Sequence, residues 1–211
     1  MQTARHLELV GSMGAGKTTV GDRVARALGR ELVDSDRVLA GAGEVAADIA
    51  RKDGVAGLHE RECRQLRQAL AGSQPAVVAA AASTIEDPTC RAALADHDVV
   101  WLRIDPAEVV ARMAAARSQG SGERGDHRRD LGPDPLGALR ALAVRRDALY
   151  RDAASLVVDT GVLSPEDATE RILAALGAGP GRLVPEHPVA PPARDGQLRG
   201  SPGDPGSPGG R

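Results

Sequence analysis

The chain has 211 residues, with 27 basic side chains against 29 acidic ones and a formal charge of −2, so no global positive field marks it as a nucleic-acid binder. Twenty-five of the basic residues are Arg and only Lys17 and Lys52 are Lys; with 37 Ala, no Phe, one Trp and one Tyr, a single core must be filled by Ala, Val and Leu. No apolar run approaches the roughly 20 residues of a membrane span, the first residues lead directly into a strand pattern without a signal-peptide stretch, and Cys63 and Cys90, not in CxxC spacing, read as free thiols of a reducing cytoplasm.

Five short runs rich in Val or Leu read as strands: residues 6–10, 31–34, 76–80, 98–104 and 155–159. Helical patterns fill the intervals, and three of them open on a cap followed by Pro: Asp87-Pro88, Asp105-Pro106 and Ser164-Pro165. This alternation predicts a five-stranded parallel sheet covered on both faces, with ligands at the carboxyl ends of its strands. From residue 177 onward, nine of 35 residues are Gly and eight are Pro, a composition that cannot bury enough apolar surface to order itself. The expected organisation is one domain over 1–176 and a disordered tail over 177–211.

Between the first strand and the first helix stands Gly11-Ser12-Met13-Gly14-Ala15-Gly16-Lys17-Thr18, which satisfies GxxxxGK[ST] in the strand–loop–helix context that the motif requires. The loop amides of Gly11, Gly14, Ala15, Gly16 and the helix start through Thr19 are expected to face phosphate oxygens. Lys17 would place an ammonium between the β- and γ-phosphates of ATP, and Thr18 would offer its hydroxyl to Mg²⁺. In a chain so biased toward Arg, a lysine here has a chemical reason, since a planar guanidinium does not replace a compact ammonium in the loop. The fold class is therefore a P-loop NTPase-type three-layer α/β/α architecture. A domain of this size without a second mechanical unit points to a small-molecule or nucleotide kinase.

Asp34-Ser35-Asp36 ends the second strand, at the lip where such an enzyme meets its acceptor. Two carboxylates spaced i, i+2 can divide labour, one on the Mg²⁺ shell and the other on an acceptor hydroxyl. An alternative is a turn in which Asp36 serves as helix N-cap before Arg37. The third strand ends without an acid and Asp105 is read as a cap, which leaves Asp34 as the metal-side carboxylate. Leu139, Leu142, Arg146 and Leu149 recur at i, i+3, i+7 and i+10, so Arg146 shares an inward stripe and needs an anion. That anion is either a substrate group or a core carboxylate. Residues 118–133 intersperse Gly120, Gly122, Gly125 and Gly132 with Arg124, Arg128 and Arg129, the composition of a flexible, positively charged flap. Arg61, Arg64 and Arg67 step along one helix, either as a solvated basic face or as a source of a cation for the acceptor pocket.

Together these segments resemble the shikimate kinase family: the P-loop with Gly21 after it, the Asp34 and Asp36 pair, Glu62 and Leu66, and the run Arg146-Asp147-Ala148-Leu149-Tyr150 followed by Val158-Asp159-Thr160. The similarity covers roughly residues 7–176. It implies that ATP, with Mg²⁺, phosphorylates the 3-hydroxyl of shikimate under an Arg-bearing lid. Lys17, Asp36 and Arg128 would be catalytic, Asp36 facing the acceptor hydroxyls, Arg146 contacting the substrate, and Pro165 packing the adenine. Two positions depart from the family. Leu58-His59 stands where it has Phe-Arg, and Ala81-Ala82-Ser83 stands where it has three glycines, so His59, Ala81, Ala82 and Ser83 are the expected acceptor contacts that differ. Kinases of another hydroxy acid such as gluconate, and a non-catalytic nucleotide-binding regulator, remain open alternatives at this point. A cytoplasmic monomer acting on a small hydroxylated acid, with no nucleic-acid or membrane partner, is the expectation.

Overall fold

Each apolar run forms a strand within a residue of its expected bounds: β1 (Leu7–Val10), β2 (Glu31–Asp34), β3 (Ala76–Ala79), β4 (Asp98–Arg103) and β5 (Leu156–Asp159). The computed structural model describes residues 5–43, 45–118 and 131–177. All pairings are parallel, in the order β2-β3-β1-β4-β5, with Leu7 opposite both Val77 and Asp98. The helices are α1 (Lys17–Leu28), α2 (Ser35–Gly41), α3 (Ala46–Leu70), α4 (Pro88–Leu94), α5 (Pro106–Ser118), α6 (Pro135–Ala153) and α7 (Pro165–Ala175), with a 3-10 turn at Thr84–Glu86. None of the helices among the described residues is long and apolar enough to cross a membrane.

Side chains alternate across the sheet, so β1 to β4 each contribute to two cores, whereas β5 faces only one. Leu7, Leu9, Val77, Val100 and Val158 pack with Val20, Val24 and Ile172 on the α1/α7 face. Val10, Val78 and Trp101 pack with Cys63, Leu66, Cys90, Leu94 and Tyr150 beneath α3, α4 and α6. The single Trp and single Tyr stack there at 5.8 Å between ring centroids, concentrating what aromatic bulk the chain has. Glu8 lies in the central strand with 0% exposure, and neither carboxylate oxygen has a hydrogen-bond partner among the described residues. Burial raises its pKa well above the ordinary value, so it is held as the neutral acid. At the amino end of the sheet, the His6 backbone N–H donates to His97 Nδ1 (3.2 Å) and the Ala76 N–H to His6 Nδ1 (3.2 Å).

All three expected helix starts are present, with Asp87, Asp105 and Ser164 accepting backbone N–H groups of the first turn. Asp134-Pro135 opens α6 by the same device, with Asp134 Oδ1 accepting the Gly137 N–H at 2.9 Å; the sequence reading did not single it out. A second feature not anticipated is the break in α3 at Gly54, where φ 75° and ψ 169° leave helical space. The two segments flanking the break, with α2, enclose a small third cluster of Leu39, Ile49 and Leu58. Arg128, Arg129 and the expected flap, apart from its two ends, lie outside the described residues, as does the tail from 178 to 211.

Candidate active site

The loop after β1 owes its shape to glycines. Gly11 (φ 144°) runs against β4, where a Cβ would collide with the Leu102 carbonyl, and Gly16 (φ 90°) caps α1 from left-handed space. Because Gly16 brings no side chain, the first turn of α1 remains open toward the cleft, the geometry that suits a phosphate. Lys17 curls back over the loop and donates from Nζ to the carbonyls of Gly11 (2.9 Å) and Ser12 (3.0 Å). Burial pushes its pKa down to about 8, against the opposing pull of Asp36 and Asp34.

Thr18 donates from Oγ1 to Asp34 Oδ2 at 2.6 Å, which joins the loop to the end of β2. The other oxygen of Asp34 accepts the N–H groups of Asp36 (3.0 Å) and Arg37 (3.2 Å). This corrects the alternative that made Asp36 the cap. Asp34 is extended (φ −107°) and caps α2, while Asp36 already sits in the first helical turn and lines the cleft. Arg37 is engaged by Asp22 through two bonds of 2.9 and 2.6 Å.

From the opposite side, Thr160 after β5 shares its hydroxyl proton between the carbonyls of Ala15 (3.0 Å) and Arg103 (3.1 Å). Arg112 on α5 donates to the Gly14 carbonyl (3.3 Å) and to the Thr160 carbonyl. Neither brace was read from the sequence. Thr160 belongs to a segment singled out for its resemblance, but its partner is 145 residues away, and no local pattern marks Arg112.

The acceptor end forms around the segment that follows β3. Glu62, buried on α3, accepts the hydroxyl proton of Ser83, and the Tyr150 hydroxyl donates to the Ala82 carbonyl at 2.8 Å. His59 lies one turn before Glu62 on the cleft side. Arg146 enters from α6 with 5% exposure and donates from Nη2 to Glu86 Oε2 at 3.1 Å. This inward Arg therefore has a carboxylate partner, and it also lines the cleft. Arg61, Arg64 and Arg67 instead bond Asp53, Glu60 and Thr89 and do not line the cleft.

These groups line one continuous cleft of about 1130 Å³ along the carboxyl edge of the sheet. Gly14, Ala15, Gly16, Lys17, Thr18 and Thr19 form its floor, with Pro165 at one end, where it also starts α7. His59, Ala81, Ala82, Ser83 and Arg146 line the opposite part, toward the β2 edge of the sheet where Asp34 and Asp36 also stand.

The family model described as shikimate kinase matches residues 13–177. The chain belongs to the shikimate kinase family. A shikimate kinase of Symbiobacterium thermophilum is 37% identical over 174 residues, 81% of this chain and 95% of the relative, and one of Thermobifida fusca is 36% identical over 171 residues, 81% and 94%. Among solved structures, a shikimate kinase from Acinetobacter baumannii in complex with shikimate superposes with a TM-score of 0.69 at 32% identity, over 81% of this chain and 92% of that one. As a shikimate kinase family member the protein is a phosphotransferase with an alcohol group as acceptor, and its five-stranded parallel sheet is that of the family.

Proposed function

We propose that the protein transfers the γ-phosphoryl group of ATP to the 3-hydroxyl of shikimate, as a cytoplasmic, monomeric enzyme of aromatic amino-acid biosynthesis. The observation that carries this reading is the single cleft that holds a complete phosphate loop at one end and Asp36 with the buried Arg146 at the other. The loop amides and Lys17 bind the donor phosphates, and the Lys17 ammonium meets the charge that builds on the transferring group. Asp36 accepts the proton of the attacking hydroxyl and orients it, and Arg146 supplies positive charge for the carboxylate of the acceptor.

Thr18 and Asp34 present two hard oxygen donors 2.6 Å apart beside the loop, a set that suits Mg²⁺. Bound there, directly or through water, Mg²⁺ would neutralise charge on the β- and γ-phosphate oxygens. Pro165 borders the space for the adenine, and Arg128 is assigned to the lid by its sequence match alone. By the resemblance His59 takes the family's Arg position, where an imidazole gives a weaker carboxylate contact than a bidentate guanidinium.

ADP release with shikimate, with gluconate and with no acceptor tests the reading. Strong stimulation by shikimate is expected. Preference for gluconate would overturn the acceptor, and no stimulation by any hydroxy acid would favour a nucleotide-binding regulator.

A further inference from the structure

Arg146 does not have its carboxylate to itself. Glu86, on the 3-10 turn that follows Ser83, accepts from Arg146 Nη2 through Oε2 at 3.1 Å, while its Oε1 accepts from Arg145 Nε (3.0 Å) and Nη2 (2.5 Å). The two arginines meet this carboxylate from opposite environments. The Arg145 side chain is 62% exposed, that of Arg146 only 6%, and Glu86 lies behind Arg146, off the wall of the cleft. Although partial burial works against it, hydrogen bonds from Arg146 and Arg145 hold the Glu86 carboxyl below its usual pKa, so it is ionised at neutral pH.

One negative charge is therefore divided between two positive ones. A buried guanidinium with a full carboxylate partner would be neutralised and would attract a further anion weakly. Here the shorter, two-nitrogen contact goes to the surface residue, and the Nε of Arg146 is buried with no hydrogen-bond partner among the described residues. Arg146 thus holds only one oxygen of a shared carboxylate, while its side chain lines the cleft.

We infer that Glu86 is a positioning residue, and that Arg145, by drawing on the same carboxylate from the surface, sets how strongly Arg146 grips the carboxylate of the acceptor. This inference rests on the functional reading above. It makes a residue outside the cleft a determinant of acceptor affinity.

The sign of the effect separates charge sharing from mere structural support. In Arg145→Ala, Glu86 falls wholly to Arg146, and the KM for shikimate rises by about threefold to tenfold with kcat and the KM for ATP unchanged. Arg145→Lys restores most of the original KM. Glu86→Gln keeps a hydrogen-bond acceptor for Arg146 but removes the charge, and the KM for shikimate moves the other way. The uncharged methyl ester of shikimate is used no differently by the unaltered protein and by Arg145→Ala.

An unchanged KM in Arg145→Ala overturns the inference, as does a rise in KM in both Arg145→Ala and Glu86→Gln, or an equal effect on the methyl ester. Should Glu86→Gln fail to fold, the Ala and Lys variants of exposed Arg145 still decide. Failure of the unaltered protein to turn over shikimate would instead fail the functional reading. The charge sharing is then read by calorimetry, as weaker gluconate binding in Arg145→Ala than in the unaltered protein.

Discussion

At the donor end of the cleft the phosphate loop is braced from three sides, by Lys17 on the loop carbonyls, by Thr18 on Asp34, and by Thr160 and Arg112 on the carbonyls of Ala15 and Gly14. At the other end side chains hold one another, Ser83 with Glu62 and Arg146 with Glu86, beside His59 and residues 81–83. The difference follows from what each end must recognise. Phosphate is met mainly by backbone N–H groups, whose geometry depends on glycines and leaves little room for change. A hydroxylated ring acid is met by side chains, and these can be exchanged in compensating sets.

If the two ends work separately, changes at one should leave the other untouched. The largest effect is expected for Asp36→Asn, which should cut kcat about a hundredfold or more while ATP still binds; retained turnover would remove Asp36 from proton transfer. His59→Arg should act next in size and only at the acceptor end, lowering the KM for shikimate about threefold to tenfold with the KM for ATP unchanged. A rise in the shikimate KM would show that the Ala81-Ala82-Ser83 turn has closed the space the longer side chain needs.

The smallest effect concerns pH. The Lys17 pKa is lowered to about 8, and bound phosphates favour the ammonium, so nucleotide binding takes up a proton once the pH passes that value. ATP affinity should therefore fall as pH rises above about 8. Calorimetric titration of ATP between pH 7 and 9 reads this, and a flat profile would place the Lys17 pKa outside that window.

Much of this was legible in the sequence because it rests on local signals. Short Val- and Leu-rich runs located every strand within a residue, the Asp-Pro and Ser-Pro pairs marked helix starts, and GSMGAGKT located the loop. Asp134-Pro135 carries the same signal as the other caps but lies at the edge of a Gly- and Arg-rich stretch that was read as flap. Whether Asp34 or Asp36 caps α2 depends on whether the helix starts directly after β2 or two residues later, which composition does not settle. The hydrogen-bond partners of Arg146, Thr160 and Arg112 are 48 to 145 residues away, and such pairs follow from the order in which the strands assemble. The inward stripe of α6 showed that Arg146 needs an anion, and only the fold shows that Glu86 supplies part of it.

Glu8 has a consequence of a different kind. A carboxylic acid sealed into the central strand stays protonated in the folded chain, whereas the same group in the unfolded chain is ionised at neutral pH. Its contribution is fully present below pH 4.5, the unfolded value, and is lost as pH rises toward its raised folded value. His97 pulls the other way: burial and the neighbouring His6 lower its pKa, so its contribution is complete above 6.5 and is lost as the solution becomes acidic. Through Glu8, folding at a pH above the ordinary carboxyl range draws a proton out of solvent and stores it in the middle of the sheet, so the pH of the solution acts on the folding equilibrium through a residue that solvent never touches.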